Sequence, residues 1–185
     1  MKANILKTGS LVLLILLVFA GIAGAQEKMT RQEKKAARKV QLEQNFHVID
    51  TLLMAKRFVL EADYLRTREG ELIPVTSGLN FIKINQNHGV LQTGANAGLG
   101  YNGVGGVTAE GNVDDWKIFK NVKNLNFTVQ FHVLTNIGNY DVVLNVNADN
   151  NASATITGLG PGNLTWQGHL YTLDSSRVFK GQNSY

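Results

Sequence analysis

The sequence predicts a mainly β domain, an antiparallel sandwich or open barrel with one N-terminal α-helix. After residue 57, apolar and polar residues alternate in short runs, which is the pattern of half-buried strands. Turn signals of glycine, asparagine and aspartate separate these runs at even spacing, which favours antiparallel neighbours. Residues 26–57 carry a helical pattern instead.

The first 25 residues are predicted to be a signal peptide. Lys2 and Lys7 form a positive lead, residues 11–20 are apolar, and residues 23–25 read Ala-Gly-Ala, a small-residue cleavage signal. The expected mature start is Gln26. The apolar run is short for a membrane span, so we expect no transmembrane segment after cleavage; an uncleaved anchor is the alternative.

Cysteine is absent from the chain. This excludes disulfides, thiolate metal sites and cysteine catalysis, and it excludes a lipoprotein anchored through a cysteine. The predicted signal peptide makes this an expected exported protein of the periplasm or cell surface. Because it has no disulfides, its stability is expected to come from packing alone.

The net charge of +4 is concentrated near the N-terminus. Residues 26–45 hold six basic and three acidic side chains, whereas residues 46–185 hold ten and eleven. A nucleic-acid-binding protein needs a basic patch interleaved with aromatic residues, and the sequence has none. We expect no nucleic-acid partner.

The helical segment divides into two parts. Thr30 and Glu33 fit a capping box at the helix start, and Leu42, Phe46, Ile49 and Leu53 have the spacing of one buried face. We expect residues 26–45 to form a basic, partly solvated arm, residues 46–181 a single β-rich domain with the packed part of the helix, and residues 182–185 a tail.

The strands are predicted in chain order. Residues 58–65 alternate, Pro74 limits the next piece to an edge or a strand start, and residues 79–84 and 90–93 form a hairpin. A meander begins at residues 116–120 and continues through residues 125–133, 140–146, 152–156 and 164–170.

Residues 94–111 form a glycine-rich stretch between the two β blocks. The preferred interpretation is a bulge or bend where the sheet curves or where the helix lies close to it. The competing one is a ligand lying over bare backbone, with candidate binding residues Gly100, Tyr101, Asn102, Gly103, Gly105 and Gly106. Gly98, Gly100 and Gly103 also match a dinucleotide-loop spacing, but the required strand-to-helix context is missing, so we expect no nucleotide cofactor.

Four segments together resemble a family of secreted domains of unknown function that is common in Bacteroides and its relatives. They are FVLEAD at residues 58–63, LNFIKI at residues 79–84, GYNGVGGVT at residues 100–108 and SRVFKG at residues 176–181. The resemblance covers about residues 40–181. It implies an exported or cell-envelope protein of a Gram-negative anaerobe and transfers no catalytic residue.

Other candidate sites are weaker. The histidines, at positions 47, 88, 132 and 169, lack the short spacing of a ligand pair, although His132 and His169 could meet, with Asp141 or Tyr171 nearby. Asn145, Asn147 and Asp149 lack the carboxylates of a calcium loop. We therefore expect no metal and no cofactor.

Two functions follow from the sequence. The first is an exported non-enzymatic binding or envelope-associated protein whose partner is a small molecule, a glycan or a protein. The alternative is a small carboxylate-dependent hydrolase that uses Glu61 and Asp63, which share a predicted strand face about 6 to 7 Å apart. A convergent acid pair in a concave pocket would distinguish the second from the first.

Overall fold

A computed structural model describes residues 29–94, 103–158 and 163–184. The chain divides into two compact units, Met1–Arg38 and Lys39–Tyr185. One helix and nine strands are described: α1 (Arg31–Met54), β1 (Arg57–Arg66), β2 (Leu72–Pro74), β3 (Phe81–Asn85), β4 (His88–Gln92), β5 (Thr108–Asn121), β6 (Asn126–Thr135), β7 (Gly138–Asn147), β8 (Asn151–Thr157) and β9 (Asn163–Tyr171). In the described part of the chain, no helix has the length and apolarity that crossing a membrane requires.

The predicted capping box forms at the start of α1. The Thr30 backbone N–H donates to the Glu33 carboxylate at 2.6 Å, and the Glu33 N–H donates to the Thr30 hydroxyl at 3.3 Å. Residues 29–38 are all exposed. The predicted signal peptide, residues 1–25, lies outside the described residues.

The strands form one antiparallel sheet that closes into an eight-stranded barrel. Neighbours follow the order β1-β3-β4-β5-β6-β7-β8-β9, and β9 returns to pair with β1; β2 is an additional short strand on β1. The prediction of a mainly β, antiparallel domain with one helix is confirmed. The sandwich alternative is wrong, and the barrel is closed rather than open, because β1 is long enough to pair with β3 and β2 along one edge and with β9 along the other.

Strand β5 starts eight residues earlier than predicted. It runs from Thr108, whereas the alternation in the sequence becomes clear only at Trp116. Residues 108–112 pair with β4, and residues 111–121 pair with β6. Glycine at position 111 breaks the apolar alternation but fits here, because a Cβ at this site would lie 1.8 Å from the Leu134 carbonyl oxygen.

Side chains fill the barrel interior. Strand β6 contributes Phe127, Val129, Phe131 and Val133, the face that the sequence predicted. The apolar face of α1 packs on the same core, where the Phe46 ring stacks on Phe127 with ring centroids 4.5 Å apart. An eight-stranded barrel is just wide enough to be filled in this way, so the chemistry of the molecule lies on its outer surface.

The chain after β9 crosses the outside of the barrel. We call residues 172–184 the C-terminal strap. It meets successive strands: the Ser176 hydroxyl donates to Glu61 on β1, the Gly181 N–H to Gln92 on β4, and the Ser184 N–H to the Thr108 carbonyl on β5. Leu173 and Val178 of the strap pack on a second apolar cluster formed by the outward side chains Val59, Phe81 and Val90.

Candidate functional site

A groove of about 360 Å³ lies on the outer face of β1, β7, β8 and β9. We call it the polar groove. Eight polar or aromatic side chains from these four strands line it: Asp63, Tyr64, Asn145, Asn147, Asn151, Ser153, Gln167 and His169. Its size is within the usual range for small-ligand sites.

Two rows of side chains cross the strands in this groove. The register aligns Tyr64 with Gln167, Gln167 with Ser153, and Ser153 with Asn145. In the adjacent row, His169 is opposite Asn151. Because side chains on one face of an antiparallel pair stand about 5 Å apart, each row is a continuous polar strip.

A β-bulge brings Asp63 and Tyr64 into the groove together. The pairing of β1 with β9 shifts between Ala62 and Tyr64, so Asp63 is the extra residue. In a regular strand these two neighbours would face opposite sides, and one of them would be buried in the barrel. Here Asp63 is half-buried, and Tyr64 is 43% exposed.

Asp63 forms a pair with His169. The Asp63 carboxylate lies 3.1 Å from His169 Nδ1. A carboxylate at Nδ1 fixes the orientation of the imidazole ring and directs its Nε2 away from the pair. The groove thus contains one carboxylate and one imidazole, already associated with each other.

The amide side chains differ in how much of their hydrogen-bonding capacity is used. Asn145 accepts a hydrogen bond from Thr128 at 2.7 Å, and Asn151 donates to Asp149 at 2.7 Å. Within the described part of the chain, the side chains of Asn147, Ser153 and Gln167 form no hydrogen bond. Their donors and acceptors are therefore available to a ligand.

Asn150 fixes the β7–β8 turn, which lies between two of these amides, Asn147 at the end of β7 and Asn151 at the start of β8. Asn150 adopts a left-handed conformation, with φ of 67°, which asparagine tolerates well. Its side chain donates to the Leu170 carbonyl at 3.0 Å and accepts from the Leu170 N–H at 3.1 Å. Asn147 and Asn151 are therefore held at a fixed distance from β9.

The glycine-rich candidates are only partly described. Gly100, Tyr101 and Asn102 lie outside the described residues. Gly103 lines a shallow groove of about 300 Å³ beside Phe179, whose side chain is 62% exposed. Gly105 and Gly106 are not among the residues that line this groove.

The described glycines of this stretch have clear structural roles. Gly103 and Gly105 have φ of 72° and 81°, which favour glycine. At Gly106, an added Cβ would lie 2.2 Å from the Thr93 carbonyl oxygen. Gly106 thus lies close to the backbone at the end of the β3–β4 hairpin, a different neighbour from the helix that was expected as one alternative.

The two carboxylates of the predicted hydrolase pair, Glu61 and Asp63, have different partners. Glu61 is opposite His169 in the β1–β9 register, and one of its carboxylate oxygens accepts hydrogen bonds from the Ser176 hydroxyl at 2.7 Å and from the Arg177 N–H at 3.3 Å. Asp63 pairs with His169 in the polar groove, which Glu61 does not line.

The two histidines that could have met, His132 and His169, have different carboxylate partners. His132 on β6 lies 3.4 Å from Asp141, as the sequence indicated, but His169 pairs with Asp63 instead. Across the described ranges, no three histidine or carboxylate side chains form a group that could hold a metal ion.

The sequence pattern does not mark Tyr64, Ser153 or Gln167 as site residues. Ser153 and Gln167 occupy ordinary outward positions in alternating strands, which are solvated sites in most β proteins. Tyr64 falls on the inward side of the β1 alternation, and the bulge turns it outward. A signal did exist, because the outward positions of β7 and the following turn are unusually rich in asparagine.

Comparisons with known proteins give a family match. The family model DUF4251, a domain of unknown function, matches residues 40–170. A crystal structure at 1.95 Å of a DUF4251 family protein from Bacteroides eggerthii DSM 20697 has a TM-score of 0.61 and 34% sequence identity to this chain. The match covers 73% of this chain and 92% of that one. A search of curated proteins found no match.

Proposed function

This chain belongs to the DUF4251 family of domains of unknown function, and we propose that it is an exported, non-enzymatic binding protein whose polar groove recognises a neutral glycan. Three side chains with unused hydrogen-bonding capacity, Asn147, Ser153 and Gln167, support this proposal most strongly. They stand on β7, β8 and β9, and Gln167 is directly opposite Tyr64, which is 43% exposed.

Sugar chemistry matches this set of groups. Each sugar hydroxyl both donates and accepts, as do amide and hydroxyl side chains. The C–H face of a sugar ring is apolar and packs on an aromatic ring, and the phenol of Tyr64 still has a polar end that can remain in water. A rigid β scaffold holds these groups in place before binding, which lowers the entropy cost of association.

The charge of the groove favours a neutral ligand. Among the described residues that line it, none is a lysine or an arginine. Its ionisable groups, Asp63 and His169, are already paired with each other at 3.1 Å. A sulfated or phosphorylated glycan would find no cation dedicated to its charge.

The hydrolase alternative has less support, because Glu61 does not line the polar groove and contacts the strap. Acid–base hydrolysis of a glycosidic bond needs two carboxyl groups on either side of the bond. Asp63 is the one carboxylate among the described residues that line the groove, and Glu61 is bonded to the strap.

Export is part of the proposal and is supported by the sequence. The positive lead, apolar core and small-residue site in residues 1–25 form a signal peptide. The proposed location is the periplasm or the cell surface, where glycans are accessible ligands.

The proposal is tested by calorimetric titration of the mature chain with a panel of neutral hexasaccharides built from glucose, xylose, mannose and N-acetylglucosamine. We expect measurable binding to at least one member, and about fivefold or more weaker binding for Tyr64→Ala and for Gln167→Ala. Asn112→Ala, an exposed amide on β5 away from the groove, is the matched control and should bind like the parent. Equal binding by all four proteins, or no binding to any sugar, would refute the proposal.

A further inference from the structure

A second cavity, of about 180 Å³, lies between the C-terminal strap and the outer faces of β3, β4 and β5. We call it the strap cavity. Its apolar surface comes from Phe81, Val90 and Val178, of which Phe81 and Val90 are buried. Lys83, His88, Glu110 and Lys180 supply its ionisable groups.

Three of these four groups, His88, Glu110 and Lys180, are linked by close polar contacts. Glu110 accepts from Lys180 through one carboxylate oxygen and lies 2.7 Å from His88 Nε2 through the other. Burial alone would raise the pKa of Glu110, but hydrogen bonds from Lys180, His88 and Asn183 outweigh it and lower the pKa to about 2. Glu110 is therefore ionised at neutral pH and is committed to these partners.

Lys83 is the unmatched charge of this cavity. Its side chain is half-buried, and among the described residues it has no hydrogen bond and no ion pair. Lys83 is opposite Val90, and Val90 is opposite Glu110, so an apolar side chain and two strand spacings separate Lys83 from the carboxylate. A partly buried ammonium group without a counter-charge favours binding of an anion.

We propose that the strap cavity binds a small organic carboxylate, with its anionic head at Lys83 and a short apolar tail on Phe81, Val90 and Val178. One unmatched cation calls for one negative charge. The cavity has the volume of about six water molecules, so the apolar tail of the ligand can have only a few carbon atoms. This site is separate from the polar groove and does not depend on the glycan proposal.

Binding here also involves the strap. Val178 belongs to the strap, while Phe81, Lys83 and Val90 belong to the barrel. A tail packed between them adds apolar contact across this boundary, so the ligand should hold the strap more firmly on the barrel.

The test titrates hexanoate into the mature chain by calorimetry and compares it with hexanamide, which has the tail without the charge, and acetate, which has the charge without the tail. We expect hexanoate to bind and the two analogues to bind about tenfold or more weakly. Lys83→Met, which keeps the length of the side chain, should weaken hexanoate binding about tenfold, whereas Lys123→Met on the exposed β5–β6 turn should not.

A second measurement uses the parent protein alone. The methyl resonances of Val90 and Val178 should shift on addition of hexanoate, while those of Val143, on the outer face of β7, should not. Absence of hexanoate binding, equal binding of hexanoate and hexanamide, or methyl shifts that spare Val90 and Val178 would each overturn the proposal. These results are independent of sugar binding at the polar groove.

Discussion

The side chain of Gln92 accepts a hydrogen bond from the backbone N–H of Gly181 at 2.8 Å, across 89 residues of sequence. The same side chain accepts from the Thr108 hydroxyl and donates to the carbonyl oxygens of Leu79 and Phe179. Gln92 is fully buried, so one amide joins β4, β5, the β3–β4 hairpin and the strap. The strap is thus an integral part of the domain.

Gln92→Met should destabilise the protein by about 3 kcal/mol. The substitution keeps the shape of the side chain but leaves several buried donors and acceptors without a partner, at about 1–3 kcal/mol each where water cannot replace it. Urea unfolding followed by circular dichroism measures the change.

Gln130→Met is the matched control for this prediction. Gln130 is exposed on β6, so its replacement should change stability by no more than about 0.5 kcal/mol. Similar losses for the two variants would mean that the Gln92 network does not hold the strap.

Gly106→Ala should cost more stability than Gly103→Ala. At Gly106 a methyl group would lie 2.2 Å from a backbone oxygen, which forces the hairpin end to move. At Gly103 no atom of the described residues beyond the two chain neighbours lies within 4 Å of an added Cβ, and the expected cost is that of the positive φ, about 1 kcal/mol. Thermal unfolding of both variants measures the difference. A Gly106→Ala protein as stable as the parent would contradict the close approach of Gly106 to the Thr93 backbone.

Glu110 should make stability depend on acid pH. Its pKa is lowered from 4.5 to about 2 in the folded protein, so the fold gains stability above pH 4.5 and loses that gain as the pH falls towards 2. This pKa shift corresponds to at most about 3 kcal/mol in the free energy of unfolding. Solvent screens the charge of Lys180, which is 42% exposed, and so reduces the expected contribution to about 1–2 kcal/mol.

The measurement is urea unfolding of the parent and Glu110→Gln between pH 5 and pH 2. The parent should lose about 1–2 kcal/mol more than the variant over this range. Glu71→Gln, at an exposed position, should follow the parent. Parallel curves for the parent and Glu110→Gln would contradict the prediction.

Expression of the full chain with export should yield a mature protein that begins at Gln26. Intact-mass spectrometry of the periplasmic or outer-membrane fraction gives the N-terminus directly. A product that retains residues 1–25 would support the uncleaved anchor instead.

Local patterns predicted the strands well where one face is buried. The alternation around Phe127 and Phe131 is complete, because every second residue of β6 faces the core. The start of β5 was less visible, because its inward position 111 is glycine and its outward position 108 is a buried threonine beneath the strap.

Long-range relationships could not be predicted from local patterns. Closure of the barrel depends on β1 pairing with β9, and no residue of either strand indicates its partner. The polar groove depends on the same pairing, since Asp63 and His169 are 106 residues apart in sequence. The bulge that turns Asp63 and Tyr64 to the same side is a further tertiary effect.

A titration of the ¹⁵N-labelled mature chain with the best-binding neutral hexasaccharide, followed by two-dimensional NMR, tests the glycan proposal most directly. The proposal predicts that the side-chain amides of Asn147 and Gln167 and the backbone amides of β8 and β9 around them shift on binding. Shifts confined to Gly103, Gly105 and Gly106, with the groove amides unchanged, would contradict it.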